Sequence, residues 1–177
     1  MKAFSFKAFP ELTTERLILR QLKESDVAAI YGLRSNAEIN RLITRKTPKN
    51  TKEAQDFITV CHQEFAKGNR IFWAMELKET KTVIGTIVFH RISLKDCYAE
   101  IGYELHPSFH KKGLMSEAMK CAVQFGIQQM KFNIMEAFTH QNNSPSIALL
   151  QKHQFVLQPE RRDEGFENNR IFQLKTE

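Results

Sequence analysis

The chain has few cysteines and no long apolar run, and each shortage excludes a class of protein. Its three cysteines, Cys61, Cys97 and Cys121, are scattered and show no CxxC spacing. This pattern argues against a disulfide framework or a cysteine metal site. No apolar run is long enough to cross a bilayer, and the first residues lack the apolar middle region of a secretion signal. The sequence therefore predicts a cytoplasmic protein without a membrane segment.

Glycine-rich nucleotide signatures are also missing. The chain has only seven glycines and contains neither GxxxxGK[ST] nor GxGxxG. Interpretations as a nucleoside triphosphatase or a Rossmann enzyme therefore lack their defining residues. No metal site is predicted either, because no metal-ligand spacing relates the histidines His106, His110, His140 and His153.

The charge balance is basic, with a formal net charge of +6. The positive residues are spread along the chain, with only small clusters such as Lys111-Lys112 and Arg161-Arg162. A long basic run and a recognisable nucleic-acid module are both absent, so no direct nucleic-acid function is expected. The charge favours an anionic ligand or partner without identifying one.

The remaining composition is typical of a globular domain, with 42% hydrophobic and 26% charged residues. The length fits a single domain over residues 1–177. Hydrophobic periodicity and turn residues predict the order strand, helices, three strands, helix, strand, helix, two strands. The expected strands are 16–22, 71–77, 83–92, 97–105, 133–139, one near Phe155, and 170–175. Five helices are expected. The first starts at Ser25 or Asp26, and the second spans 37–42. The third has Thr51 as its cap and ends at Gly68, and the last two span 114–130 and 144–153. Hairpins beside strand-helix-strand units predict a layered α/β (α+β) fold with a mixed sheet covered by helices.

The connection between the third hairpin strand and the following helix has the features of an anion site. Unpaired N–H groups and the helix dipole at a helix start attract anions. Gly113 has no Cβ, so the backbone there allows a ligand to approach closely, and Lys111 and Lys112 add positive charge. These residues predict a phosphate or diphosphate cradle, with an ordinary helix start open as the alternative.

A wider pattern extends over nearly the whole chain. It consists of four segments: LTTERLILR at 12–20, EIGYELHP at 100–107, the loop and helix start at 109–118, and NSPS at 143–146 followed by LLQKHQF at 149–155. In this order they resemble the GNAT superfamily of N-acetyltransferases, most closely its RimJ/RimL (ribosomal-protein alanine acetyltransferase) branch. The resemblance implies a mostly antiparallel sheet of about seven strands, splayed in the middle, with helices on both faces.

The resemblance also implies the activity. Such enzymes transfer an acetyl group from acetyl-CoA directly to a primary amine, and in this branch the acceptor is a protein N-terminal α-amine, as in ribosomal proteins. A small amine or an antibiotic is an alternative acceptor. A non-catalytic acyl-CoA-binding sensor and a basic RNA- or ribosome-binding domain are hypotheses of a different class. The sequence does not choose between a monomer and a homodimer.

Site residues follow from the same resemblance, position by position. The coenzyme arm is expected beside Tyr103 and Leu105, with Asn143 and Ser146 hydrogen-bonding near it. The diphosphate is expected on the loop formed by His110, Lys111, Lys112, Gly113, Leu114, Met115 and Ser116. The alternative role of Asn143 is to cap a helix.

Catalysis needs a proton acceptor, because an ammonium is not a nucleophile. The resemblance offers Glu104 and Glu136 for this role, with a water chain as the alternative. Ser146 matches a hydroxyl that serves the departing sulfur, and its alternative is to bond backbone. Many members of the superfamily place a tyrosine one turn later, where this chain has Leu150.

Four positions depart from the family pattern. His110 replaces Gln or Arg, Lys111 replaces a frequent Gly, and Met115 replaces Gly or Ala. Gln154 replaces the Gly before Phe155, so the turn there has to adopt a conformation that suits glycine better.

The acceptor site is expected between the two early helices, the linker 44–51 and the final hairpin. The linker is basic at 45–49, which favours an acidic or anionic partner such as the ribosome. A polycationic acceptor would need an acidic groove, so these loops disfavour polyamines and aminoglycosides.

Overall fold

Eight strands form one sheet in the computed structural model, which describes residues 6 and 8–176. The strands are β1 (Leu12–Thr13), β2 (Leu17–Gln21), β3 (Ile71–Leu77), β4 (Val83–Ser93), β5 (Tyr98–Leu105), β6 (Ile134–His140), β7 (Val156–Leu157) and β8 (Asn169–Lys175). The helices are α1 (Val27–Ser35), α2 (Ala37–Asn40), α3 (Thr51–Ala66), α4 (Leu114–Gln128) and α5 (Ser144–Lys152). The expected mixed α/β fold is confirmed, and the strand added to the predicted seven is the two-residue β1.

The sheet has the order β1-β2-β3-β4-β5-β6-β8-β7, and its one parallel pair joins β5 to β6. This pair is short, because Tyr98–Glu100 is matched with Ile134–Glu136 and the register ends there. Beyond it, β5 continues to Leu105 and β6 to His140 without pairing to each other. The predicted splay in the middle of the sheet is therefore present, and it opens after three paired positions.

The two sheet faces bury separate cores because side chains alternate along each strand. On β3, Trp73 and Met75 join the core that α4 and α5 cover. Phe72 and Ala74, on the opposite face of the same strand, pack with α1 and α3. Helices therefore cover both faces, as expected, and we call these faces the α4–α5 face and the α1–α3 face.

The helix ends follow local capping chemistry. The cap of α3 is Asn50, whose side chain accepts from the Glu53 N–H at 3.0 Å, so the prediction of Thr51 as cap is wrong by one residue. The asparagine oxygen satisfies one of the free N–H groups at the helix start. At the other end, Gly68 adopts φ of 75° just after the last turn, as expected for a glycine that ends a helix.

Two of the departures from the family pattern lie in the left-handed region. Lys111 has φ of 60° and Gln154 has φ of 65°, at the two positions where the family pattern that the sequence resembles has glycine. A side chain costs about 1 kcal/mol in this region, because Cβ crowds the following carbonyl oxygen. The turn before Phe155 is nevertheless formed, with the Phe155 N–H donating to the Leu150 carbonyl at 3.0 Å.

No helix within the described residues is both long enough and apolar enough to span a membrane.

Two helical glycines provide a matched test of core packing. A Cβ on Gly126 of α4 would lie 3.0 Å from Met135 Sδ and 3.1 Å from Phe89 Cζ, and both neighbours are fully buried. A Cβ on Gly32 of α1 would meet nothing within 4 Å. We expect Gly126→Ala to lower the free energy of unfolding by about 1 kcal/mol, because overpacking outweighs the gain in helix propensity.

Gly32→Ala should raise the free energy of unfolding by about 0.5–1 kcal/mol through helix propensity alone. Urea unfolding followed by circular dichroism measures both changes. An equal increase in the free energy of unfolding for both variants would show that the neighbours of Gly126 can move to accommodate a methyl group. This part of the core would then be loosely packed.

Candidate active site

At the gap between β5 and β6, side chains on both faces of the sheet border the same opening. Consecutive residues of β5 point to opposite faces, so Tyr103 lies on the α4–α5 face and Glu104 on the α1–α3 face. Tyr103 reaches α5, and Glu104 reaches the linker between α2 and α3. One strand therefore presents a phenol and a carboxylate to the two sides of the gap.

The expected diphosphate loop lies at the start of α4. Within the described residues, the backbone N–H groups of 111–116 donate to no backbone or side-chain acceptor. Gly113 is the N-cap residue and adopts φ of 75°, which only glycine reaches without strain. Free N–H groups at a helix start suit a diphosphate, so the chain fits the group that the sequence predicts there.

The side chains of this loop are used in other ways. Leu114 and Met115 are 4% and 9% exposed and pack in the α4–α5 core, so only their backbone faces the loop. Ser116 Oγ lies 2.9 Å from His153 Nε2, which joins α4 to α5. Lys111 and Lys112 are exposed and add positive charge beside the free N–H groups.

His110, which replaces the Gln or Arg of the family pattern, connects the loop to the central strand. Its Nε2 lies 2.9 Å from the Leu105 carbonyl oxygen at the end of β5. The bond fixes where the loop leaves the strand. The same bond occupies the carbonyl oxygen of Leu105, a residue that the sequence analysis predicts beside the coenzyme arm.

A row of hydroxyl groups crosses from β5 to α5 and β6. Tyr103 Oη and Ser146 Oγ share a hydrogen bond of 2.7 Å, and Thr139 Oγ1 donates to Ser146 Oγ at 3.0 Å. Burial raises the pKa of Tyr103 to about 12, which keeps its proton on the phenol. Asn143 is the cap of α5, because its Oδ1 accepts from the Ser146 N–H at 3.3 Å.

Glu104 is buried, at 6% exposure, and has two polar neighbours. Thr86 Oγ1 donates to Oε1 at 3.2 Å, and Arg45 Nη1 lies 2.6 Å from Oε2. The guanidinium approaches Oε2 off the hydrogen-bonding direction, so this oxygen has no aligned donor in the described part of the chain. Arg45 is held in place by Asn40 Oδ1 at 2.8 Å.

Glu136 is buried as deeply but is saturated with donors. Arg161 donates to both of its oxygens, Gln173 Nε2 donates at 2.6 Å and Tyr98 Oη at 3.1 Å. Burial raises the pKa of the carboxyl group, but these hydrogen bonds outweigh it and hold the pKa below its ordinary value. The neighbouring Glu100 pairs with Arg91 Nη1 at 3.0 Å.

The α1–α3 face of the gap opens into a cavity of about 340 Å³. It is lined from the linker, β4, β5, β6, the start of α5 and the connection between β7 and β8, including Arg45, Thr86, Gly102, Glu104, Phe138, His140, Ser146 and Phe166. A second cavity of about 490 Å³ continues it between residues 40–44 and 165–169. The two share Leu42, Ile43, Thr44, His140, Phe166 and Asn169, and we call them together the acceptor groove.

Sequence reasoning missed the cationic partners of the carboxylates. Arg45 is far from Glu104 along the chain, and Arg161 is far from Glu136, so no local spacing relates them. It also missed the contact of Arg16 with Glu117, which joins the first turn of the chain to α4. The only available signal was the presence of these arginines in segments expected near the site.

Comparisons with known proteins bear on the family and the fold of the chain. The family described as an acetyltransferase (GNAT) domain matches residues 16–156. An uncharacterized N-acetyltransferase of Bacillus subtilis, YoaA, is 34% identical over 147 residues, which is 83% of each chain.

Two solved structures share the fold. RimL, a ribosomal L7/L12 α-N-protein acetyltransferase in complex with coenzyme A, superposes with a TM-score of 0.82 at 17% identity, over 94% of this chain and 98% of its own. Mycobacterium smegmatis RimJ, in complex with a CoA-disulfide, has a TM-score of 0.83 at 15% identity, over 95% of this chain and 88% of its own. At these identities the likeness shows the fold alone.

Two glycines with left-handed φ provide a test of the loop at the start of α4. We expect Gly113→Ala to weaken coenzyme A binding about tenfold. An alanine in the left-handed conformation that the bound loop needs is strained by about 1 kcal/mol, and relief of that strain would displace the N–H of residue 113 from the ligand. Gly165→Ala is the matched control, since Gly165 has φ of 81°, has nothing within 4 Å of a Cβ, and lies in the β7–β8 connection. Isothermal titration calorimetry with coenzyme A measures both.

The control should lose stability to a similar degree while keeping its affinity for coenzyme A. Equal affinities for the two variants would contradict a role of the Gly113 backbone in binding.

Proposed function

Because the chain belongs to the acetyltransferase (GNAT) domain family, it is an N-acetyltransferase that uses acetyl-CoA, and we propose that its acceptor is the α-amine at a protein N-terminus. The observation that carries this proposal is the acceptor groove, which leads from the Glu104 carboxylate along the linker and past His140 to residues 165–169. A small amine would occupy only the inner cavity. An extended peptide would use both.

The lining of the groove suits a peptide chain. Its outer part carries the side-chain amides of Asn168 and Asn169, which can pair with peptide N–H and C=O groups. Its inner part has apolar side chains beside the carboxylate, from Leu42, Ile43 and Phe138. An N-terminal residue with a small apolar side chain would place its ammonium near Glu104 and its backbone along the amides.

The likeness to RimL, an α-N-protein acetyltransferase of ribosomal L7/L12, adds support of another kind. The exposed basic residues between α2 and α3, Arg41, Lys46 and Lys49, would favour an acceptor with acidic residues near its N-terminus or within a larger anionic assembly. We therefore propose a ribosomal protein as the class of acceptor to test first.

We propose that acetyl-CoA is bound mainly by backbone N–H groups that have no partner within the described residues. The free N–H groups of residues 111–116 would bind the diphosphate, and the side chains of Lys111 and Lys112 would add charge. Tyr103, Leu105 and Asn143 border the gap between β5 and β6, where the coenzyme arm would lie. When bound, acetyl-CoA supplies a thioester-activated acetyl group.

For the proton of the ammonium, we propose Glu104 rather than Glu136. Glu104 faces the acceptor groove and keeps one buried oxygen without an aligned donor. Glu136 has both oxygens engaged by Arg161, Gln173 and Tyr98. An acceptor ammonium can replace Arg45 at Glu104 Oε2, after which the carboxylate accepts its proton.

For the departing thiolate, we propose Ser146 as the hydrogen-bond donor. Its hydroxyl lies between the Tyr103 phenol and the Thr139 hydroxyl, and these hydrogen bonds orient it and strengthen it as a donor. Tyr103 keeps its proton at neutral pH because burial raises its pKa. The row of hydroxyls therefore offers a hydrogen bond to the departing thiolate where the chain has Leu150 instead of a tyrosine.

A peptide panel tests the proposed acceptor. Synthetic N-terminal peptides of ribosomal proteins are incubated with acetyl-CoA, and release of free thiol is followed together with the mass of the peptide. We expect acetylation at the α-amine and none on peptides whose N-terminus is already acetylated, even when they contain lysine. A polyamine, an aminoglycoside and free amino acids complete the panel.

Faster turnover of a small amine than of every peptide would overturn the peptide proposal. Binding of coenzyme A without turnover of any acceptor would favour a non-catalytic acyl-CoA sensor.

Replacing the proposed proton acceptor should affect turnover more than binding. We expect Glu104→Gln to lower kcat about 10²-fold or more, with the KM for acetyl-CoA little changed, because general bases contribute factors of that size. Glu136→Gln is the matched control, a buried carboxylate on the same face, and should keep kcat within about tenfold. Steady-state kinetics with the best acceptor of the panel measures both, and the reverse ranking would assign the proton to Glu136.

A further inference from the structure

The first segment of the sequence pattern, LTTERLILR, has no part in the chemistry described above. It forms β1, a turn and β2, and the turn lies against the first turn of α4. Arg16 in this turn contacts two groups of the diphosphate loop and its helix. We propose that Arg16 is a positioning residue for coenzyme A, which aims the Gly113 N–H by holding the Lys112 carbonyl.

The contact with the loop is direct. Arg16 Nη1 donates to the Lys112 carbonyl oxygen at 2.9 Å. The described chain has no cis peptide bond, so the C=O of Lys112 and the N–H of Gly113 point in opposite directions across one planar peptide. A guanidinium that fixes the carbonyl therefore also fixes the N–H, which points away from Arg16 and has no acceptor within the described residues.

The other side of the guanidinium is anchored on Glu117. Arg16 Nε and Nη2 each lie 2.7 Å from Glu117 Oε2, and the Arg16 backbone N–H donates to Oε1 at 2.8 Å. Thr14 Oγ1 donates to the same Oε1 at 2.5 Å. A planar guanidinium with two contacts on a carboxylate and a third on a carbonyl has little freedom to rotate.

Glu117 also needs Arg16 for electrostatic reasons. It lies in the first turn of α4, where a carboxylate is favoured by the helix dipole but would repel a bound diphosphate. Burial raises the pKa of Glu117, but the bonds from Thr14 and Arg16 outweigh this and hold the pKa below its ordinary value. The carboxylate is thus charged at neutral pH, and the arginine compensates its charge beside the anion site.

The proposal rests on the assignment of the loop as the diphosphate site. It goes beyond that assignment because Arg16 is distant in sequence, and its side chain acts through Lys112 rather than through the ligand. It also gives a physical role to the pairing of the segments at 12–20 and 109–118, which no spacing in the sequence relates.

Calorimetric titration of coenzyme A onto the whole chain tests the proposal. Arg16→Met keeps the length of the side chain and removes all three side-chain contacts, and we expect the Kd for coenzyme A to rise about tenfold. Arg16→Lys keeps the charge but cannot bond Glu117 and the Lys112 carbonyl as a fork, so it should show most of the same loss. Lys52→Met, on the exposed start of α3, lowers the net charge equally and should leave the Kd within about twofold.

A second ligand distinguishes a role of Arg16 in positioning the diphosphate loop from general damage to the binding site. Pantetheine lacks the diphosphate, and its weak binding can be followed by NMR titration. We expect the Arg16 variants to bind it as the unaltered protein does, so the ratio of the two affinities should change about as much as the Kd for coenzyme A. Should Arg16→Met fail to fold, Arg16→Lys provides the same comparison.

Several results would overturn the proposal. Unchanged coenzyme A binding in Arg16→Met would remove any role, and full affinity in Arg16→Lys would reduce the role to charge alone. An equal loss for pantetheine would indicate damage to the whole site. If the unaltered protein bound no coenzyme A, the loop assignment would fail together with this proposal, which differs from a failure confined to the variants.

Discussion

The separation of β5 from β6 is the constraint on which the site depends. Their parallel pairing ends at Glu100 and Glu136, and the facing edges beyond that point have no strand partner. Backbone N–H and C=O groups inside a protein need partners, so an open wedge in the middle of a sheet favours a ligand with its own amide groups. The loop at the start of α4 follows the end of β5, so the proposed anion site is next to the wedge.

The period of two along β5 then divides the chemistry between the two faces. Tyr103 and Glu104 are neighbours in sequence, yet one contacts α5 and the other contacts the α2–α3 linker. A shift of one residue in the register of β5 would exchange them and bury both without partners. The register is held by seven matched positions with β4, from Gly85 with Leu105 to Ser93 with Tyr98.

Local patterns predicted most of the fold, because hydrophobic periodicity and caps act over a few residues. They placed α4, the β3–β4 hairpin and the final strand within a few residues of their observed bounds, and the motifs singled out Gly113 and Ser146. Partners from distant segments could not be predicted. The Arg45–Glu104 and Arg161–Glu136 pairs depend on how loops cross the sheet, and no spacing in the sequence encodes that.

The same distant partners distinguish Glu104 from Glu136, which sequence reasoning offered for the same role. Glu100, Glu104 and Glu136 are all buried on the α1–α3 face. A buried charge costs several kcal/mol unless it is paired and hydrogen-bonded. The donors around Glu136 pair and hydrogen-bond its carboxylate without any ligand. Glu104 Oε2 is the one fully buried side-chain oxygen that lacks a hydrogen bond among the described residues, although Arg45 lies beside it. Its charge is compensated while its hydrogen-bonding capacity is not, so an arriving ammonium that supplies an aligned N–H gains there what the folded chain alone does not provide.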